Sequence, residues 1–379
     1  MQLPPDSERL RTAYEKVCRV LLDRKTSDGH WIGRLSDSAL STATTVSAFS
    51  VFLKTVQNGT KHDLTDEEFQ QLELLIKQAT DWLLAHQNAD GGWGDTDKSL
   101  SNISTTLLVK AALVLAGTPA QSYDCGSVNF AAIKKRYGDD QTFSVPILTN
   151  AALAGLVDWK EIPQLPFELA ALPMAWFRFF KMNVVSYAIP ALVAIGQVKF
   201  HFAPDKKKFV SNLFRRFAKK RTLRLIEKMQ PASGGYLEAA PLTAFVVMSL
   251  SAMGLTEHPI VTKGIRFLIN SFREGGSVPI DTNLATWLTS LSLIALQGKA
   301  ANNAQTIDWL LSCQHKQRHP FTDASPGGWG WTNLSGAVPD ADDTSAALLA
   351  LADEQQSRNR KIAHNESQSY DCGSDAGSD

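Results

Sequence analysis

Apolar residues along this chain return at intervals of three and four, the spacing that lines one face of a helix. The pattern runs through Leu10–Leu22, Ala39–Leu53, Phe69–His86, Ser104–Leu115, Leu242–Met253, Ile260–Ser271, Leu284–Leu296, Ile307–Cys313 and Ala346–Leu351. Clusters of Gly, Pro, Asp and Asn separate these stretches, and strand-type alternation is nearly absent. The pattern predicts an all-α chain. The most apolar region, Leu169–Ala203, is interrupted by Arg178, Lys181 and Pro190. It lacks the roughly 20 uninterrupted apolar residues of a membrane span.

An internal repeat organises these helices. Trp82-Leu-Leu-Ala-His-Gln87-Asn-Ala-Asp90-Gly91-Gly92-Trp93 pairs with Trp309-Leu-Leu-Ser-Cys-Gln314 followed by Gly327-Gly328-Trp329. Weaker copies are Leu21-Leu22 with Asp28-Gly29-His30-Trp31, and Phe267-Leu-Ile with Gly275-Gly276. The unit is an aromatic helix end, a Gln, a glycine turn and a Trp ahead of the next helix. Repeated helical hairpins of this kind stack or close into rings, so the expected architecture is α/α-barrel (toroid) domains. Trp82, Trp93 and Trp309 are expected to be packing staples at the joints.

Pro204–Lys228 departs from the rest of the chain. It holds ten Lys or Arg against Asp205 and Glu227, while Phe209, Val210, Leu213, Phe214 and Phe217 share one helical face. A basic amphipathic helix suits a membrane surface, and a solvated helix packed by its Phe stripe is the competing reading. Nucleic acid fits less well, because no recognition motif accompanies the charge. Residues 353–379 are polar and Ser/Asp-rich and are expected to be disordered. Gln121–Ser127 recurs identically as Gln368–Ser374, a duplication with no physical explanation in the sequence.

Composition narrows the class. The chain has 379 residues, 44% of them hydrophobic and 20% charged, with a net charge of zero. That supports a large core and supplies no global field for nucleic acid. Cys18, Cys125, Cys313 and Cys372 are scattered without CxxC spacing, which reads as reduced thiols rather than a disulfide frame or zinc knuckle. The N-terminus lacks a basic and apolar leader pattern, so a cytoplasmic location is expected.

The chemistry concentrates in Asp340-Ala341-Asp342-Asp343-Thr344, just after Gly327-Gly328-Trp329-Gly330-Trp331. Three carboxylates within four residues cannot all ionise cheaply, so repulsion raises the pKa of one. An acid kept protonated beside aromatic rings is what protonation of a carbon–carbon double bond requires. Taken alone, the cluster would cap the helix that follows. A calcium loop is disfavoured, since no glycine or distal Glu follows at loop spacing.

The acidic box, the glycine–tryptophan turn before it and the Gln…Gly-Gly-Trp repeats resemble the squalene–hopene cyclase group of class II terpenoid cyclases. Further stretches are similar: Asp28-Gly-His-Trp-Ile-Gly with Ser38-Ala-Leu-Ser-Thr-Ala, and Glu168 with Leu172-Pro173 and Met182 to Tyr187. Glu257-His258-Pro259 with Lys263-Gly264, and Ile280-Asp281-Thr282, continue the likeness, which covers roughly residues 8–352.

The resemblance implies two α/α-barrel domains, one inserted in the other, with a cavity between them. It implies protonation of a linear isoprenoid such as squalene and ring closure through carbocations. Asp342 would be the general acid, Asp340 and Asp343 would tune it, and Trp331, Tyr187 and Trp329 would belong to the substrate cavity. Aromatic faces there would stabilise cations, and no metal or organic cofactor is implied. Peripheral contact with the inner membrane surface, through Pro204–Lys228, follows from the water-insoluble substrate class.

The sequence also departs from that group. Ile280 and Pro190 stand where it has Trp, and His364, in the tail, does not match the downstream His partner of the acid. The sequence stops where the group's catalytic barrel continues. The expected organisation is an incomplete catalytic domain (1–40 and 281–352), an inserted barrel (41–280) and the tail. Exposed apolar surface on an incomplete domain would favour self-association, or pairing with a missing C-terminal half. The chain alone is then expected to be inactive or nearly so. The alternative is a non-catalytic helical-repeat binding protein or half of a split cyclase. Protein prenyltransferases share the barrel but need zinc, and Asp124-Cys125 and Asp371-Cys372 offer no Asp–Cys–His triad. Asp139-Asp140-Gln-Thr-Phe lacks the last Asp of a diphosphate–metal motif.

Overall fold

Short polar residues open the helices by satisfying N–H groups that have no partner within the helix. Ser38 Oγ accepts from Ser41 N–H at 3.1 Å to start α2 (Ala39–Gln57). Thr65 and Glu68 form a reciprocal capping box on α3 (Asp66–Ala85). Asn102 accepts from Thr105 N–H at 2.9 Å to start α4 (Ile103–Leu115). The structure is a computed structural model. It describes residues 7–119, 136–138, 141–173, 188–296 and 304–353, with Ile133, Trp176, Phe179 and Gln355 besides. Besides these three helices it contains α1 (Ser7–Asp23), α5 (Gln141–Leu153), α6 (Ile189–Phe202), α7 (Phe209–Met229) and α8 (Ala240–Ala252). Next come α9 (Pro259–Asn270), α10 (Ala285–Leu296), α11 (Ala304–Ser312) and α12 (341–353). The only ladder among the described residues pairs Asp37–Ser38 with Val278–Pro279, antiparallel.

The chain divides into two compact units. One is Leu35–Thr282 with Leu334–Gly336; the other takes the residues up to Arg34, Asn283–Asn333 and those from Ala337 onward. Within the first unit α2 packs on α4, α4 on α5, α5 on α6, α6 on α8 and α8 back on α2, which closes a ring. Helices α3, α7 and α9 lie outside it against α2, α6 and α8. This is an all-α toroid. The ring helices are buried on nearly every side: each residue of α2 from Ser41 to Leu53 is buried. The outer helices bury only a stripe, as α9 does with Ile260, Val261, Gly264, Ile265 and Leu268 among others.

That difference bears on what periodicity missed. A helix surrounded by protein needs no polar face; the ring helices α2, α4 and α8 still show a three–four spacing, whereas α5 and α6 do not. Pro146 inside α5 and Gly196 in α6 obscure them further. Helix α2 is long and apolar enough to cross a membrane, but it is a buried member of the ring, packed on α4 and α8.

The repeated joints share one set of bonds. Trp93 Nε1 donates to Leu83 O in the last turn of α3 at 2.8 Å, and Trp31 Nε1 donates to Leu21 O in the last turn of α1 at 2.8 Å. Trp329 Nε1 does the same to Leu310 O of α11 at 2.7 Å. At the α7 joint Tyr236 Oη donates to Ile226 O at 2.8 Å. This copy escapes a search for Trp, although Gln230 and Gly234-Gly235 precede it. The expected staple role thus holds for Trp93, which has 0% exposure. Trp82 is buried and stacks on His86 at 4.1 Å, and Trp309 stacks on His30 at 4.1 Å.

Helix α7 is not packed by its Phe stripe. Arg215, Thr222 and Ile226 form its buried side, and Arg215 grips Glu168 with two bonds of 3.1 Å. Phe209 and Phe217 are each 75% exposed, with Val210, Leu213 and Phe214 exposed beside them. In the second unit, Ala346, Ala347 and Ala350 of α12 are buried while Leu348 and Leu349 are exposed. The copies of the duplicated heptapeptide and the residues from 356 onward lie outside the described residues.

Trp93→Phe removes both the bond to Leu83 O and part of a buried ring system. It should lower unfolding free energy by about 2 kcal/mol in urea melts, against less than about 0.5 kcal/mol for the exposed Leu100→Ala. Equal midpoints for the two variants would refute the staple.

Candidate active site

The acidic box opens α12, and each of its residues is placed by that helix start. Asp340 is the cap: Asp343 N–H donates to its Oδ1 at 2.8 Å, and Thr344 N–H to its carbonyl at 3.3 Å. Asp340 N–H in turn donates to Trp329 O at 3.1 Å. Thr344 Oγ1 accepts from Trp329 N–H at 3.0 Å, so the box and the staple turn form one joint. Trp329 itself is almost wholly buried, its indole N–H spent on Leu310 O.

The three carboxylates separate by environment. Asp343 is 5% exposed, and its carboxyl is bonded to that of Asp340. Burial first, then the bond and charge of Asp340, then the charge of Asp342, push its pKa up to about 8. Asp343 therefore holds a proton at neutral pH. Asp342 is exposed on the first turn and has no side-chain partner among the described residues. Trp331 is half-buried, and its carbonyl accepts from the N–H groups of Thr286 and Trp287 at 3.1 and 3.2 Å, which ties it to the start of α10. Its own indole N–H is buried without a partner among the described residues. Thr332 Oγ1 donates to Asn283 Oδ1 at 2.6 Å beside it. Tyr187 lies outside the described residues. Among the described residues no three His, Cys, Asp or Glu side chains gather as metal ligands.

Sequence reading missed the part Thr344 plays. The signal was present: Thr42, Thr106 and Thr289 take the corresponding bond, from Val278, Trp93 and Trp31 N–H at 2.9, 3.0 and 3.0 Å. In the other unit, burial pushes Asp281 up to about 6.

A buried acid whose folded pKa exceeds its unfolded value favours folding most at low pH and loses that contribution as pH rises. For Asp343 the window runs from about 4, its ordinary value, to about 8. Asp343→Asn keeps the shape and a donor for Asp340 and cannot ionise. It should match the parent near pH 4 and exceed it near pH 8 by on the order of 1–3 kcal/mol. Thermal melts across that range would test this; a constant offset between the two would contradict a protonated Asp343.

The squalene-hopene cyclase N-terminal domain family matches residues 14–220. A terpene cyclase–glycosyl transferase fusion protein of Humicola fuscoatra is 24% identical over 93% of this chain and 32% of its own length. An enfumafungin synthase of Hormonema carpetanum is 32% identical over 50% of this chain and 13% of its own. A squalene–hopene cyclase of Bradyrhizobium diazoefficiens is 24% identical over 91% of this chain and 58% of its own. The chain thus spans less than two thirds of the length of these relatives. With the family match covering more than half of its residues, the toroid closed and the acidic box in place, the chain belongs to the squalene-hopene cyclase family.

Proposed function

We propose that this chain carries the proton-donating part of a terpenoid cyclase that acts on a linear isoprenoid such as squalene. The observation that carries the reading is the acidic box: an Asp340–Asp343 pair, Asp343 buried and Asp340 partly so, that retains a proton next to an exposed Asp342. In this reading Asp342 gives its proton to a terminal carbon of the polyene. The O–H bond breaks, a C–H bond forms from the alkene's π electrons, and the adjacent carbon becomes cationic. Further alkenes attack in turn to close rings, and loss of a proton or capture of water ends the sequence. The Asp340–Asp343 pair keeps the box from carrying its full formal charge, and Trp331 offers a π face to a cation. Exposure lets Asp342 be reloaded from solvent.

The test is incubation with squalene and mass spectrometry of the products. It uses the chain alone and the chain joined to the C-terminal region of the bacterial relative. Asp342→Asn should abolish cyclised product in a folded protein. Asp340→Asn should reduce it less, and Trp331→Ala should shift it toward early-terminated rings. No cyclised product in either form, or full activity in Asp342→Asn, would sink the reading.

The same substrate is insoluble in water, and α7 carries exposed Phe209, Phe214 and Phe217 with exposed Lys206, Lys207, Lys208, Arg216, Lys220, Arg221 and Arg224 around them. The proposal includes peripheral attachment, through α7, to the cytoplasmic face of an anionic membrane. Co-sedimentation should be stronger with anionic than with neutral vesicles and should weaken with salt. Equal binding to both would remove the electrostatic part.

A further inference from the structure

We propose that Glu238 is a positioning residue for the acidic box. Its buried carboxylate anchors Gly336, and thereby the segment that leads from Trp331 into Asp340. Glu238 is 1% exposed, and Oε1 accepts from Ser233 Oγ–H at 2.8 Å and from Gly336 N–H at 2.9 Å. The backbone around it is committed to that purpose. Leu237 and Glu238 both have φ of +57°, a left-handed conformation that side chains other than Gly, Asn and Asp adopt reluctantly. Strain of this kind persists where surrounding bonds fix it: Glu238 N–H donates to Gly235 O, and Thr282 N–H and Oγ–H both donate to Glu238 O.

The partner is specialised as well. Gly336 does not have a positive φ, so conformation does not require glycine there. Space does: a Cβ at 336 would lie 2.7 Å from Glu238 Oε1 and 3.0 Å from its Cγ. A strained Glu on one side and an otherwise unneeded Gly on the other specify one contact. That contact holds the middle of a segment whose ends are the Trp331 carbonyl, bound by α10, and the Asp340 cap. The sequence shows only a Glu in Ser233-Gly-Gly-Tyr-Leu-Glu238, so the pairing is invisible before folding.

The consequence for chemistry rests on the preceding proposal; the anchor does not. The test is amide hydrogen exchange by mass spectrometry on the full chain, comparing the parent with Glu238→Ala, Glu238→Gln and Gly336→Ala. Losing a buried hydrogen bond should speed exchange at residues 332–344 by about 10-fold or more in Glu238→Ala, with α4 unchanged. Glu238→Gln retains an acceptor oxygen and should restore most of the protection. Gly336→Ala, which keeps Glu238 in the chain but sets a Cβ against its Oε1, Cγ and backbone N, should reproduce the loss, and it decides the matter if Glu238→Ala does not fold. Parent-like exchange in folded Glu238→Ala, or in Gly336→Ala, would overturn the anchor. Fast exchange confined to 334–336, with 340–344 unchanged, would overturn its role in placing the box. Where a form that turns over is in hand, kcat should fall in Glu238→Ala and recover in Glu238→Gln. A chain without cyclase activity would remove the preceding proposal and leave this one to the exchange data.

Discussion

A helix end leaves carbonyls without partners, and in a ring of hairpins those ends are buried by the next joint. The bond from an aromatic donor to the last turn of the outer helix acts there. It gives a last-turn carbonyl a second, side-chain donor, since the Leu21, Leu83 and Leu310 carbonyls also accept from Arg24, His86 and Cys313 N–H at 3.2 Å, and it delivers a large aromatic side chain to the same spot. Trp31, Trp93, Trp329 and Tyr236 all do so within 2.9 Å. The Gln of each unit handles the turn: Gln87, Gln230 and Gln314 donate to Gly91, Gly234 and Gly327 carbonyls. Gly92 and Gly94 show how tight the joint is, since a Cβ at either would meet Ser101 or Ser99 atoms below 3 Å. With the outer helix end, the turn and the start of the ring helix fixed together, the angle between successive hairpins is set, and the ring closes.

The acidic box is a chemical variant of that joint. At the start of α4, Asn102 caps, its N–H donates to Trp93 O, and Thr106 Oγ1 accepts from Trp93 N–H. Asp340 and Thr344 make the same three bonds around Trp329. The difference lies in the side chains between. At α4 the Asn102 amide and the Thr105 hydroxyl both donate to Asp95 Oδ1, so one carboxylate oxygen takes two neutral donors. At α12 the corresponding cap and third helical residue are both carboxylates, and the burial of Asp343 beside Asp340 makes the pair keep a proton. The scaffold bond pattern is retained while its proton inventory changes.

How much was legible follows from which forces leave a trace in sequence. Amphipathic outer helices such as α3 and α9 display their period because one side faces water. The repeat exposed the joints because glycine and tryptophan are rare enough to stand out. Helices α5 and α6 left no period, and the Tyr236 joint hid behind a change of ring. In the box, crowding of carboxylates was readable as a raised pKa, but not which carboxylate would bear it; that depends on Asp343 turning inward and Asp342 outward on the first turn. Tyr187 stays a reading from resemblance alone. The Glu238–Gly336 contact joins residues 98 apart with no periodic or compositional mark, and only folding brings it about.

A reactive group gains from a rigid setting, because reorganisation at the moment of reaction then costs little. The joint provides that setting, and it also distributes duties. Asp340 caps the helix, Asp343 shares a proton with it, and Thr344 binds the staple turn. Changing any of these for a better acid would cost the start of α12. Asp342 alone has no structural duty among the described residues and stands on the exposed side of a turn whose backbone is fixed by the others. The proposed chemistry therefore falls on the one carboxylate of the box whose side chain holds no bond among the described residues. Its two neighbours supply the field around it.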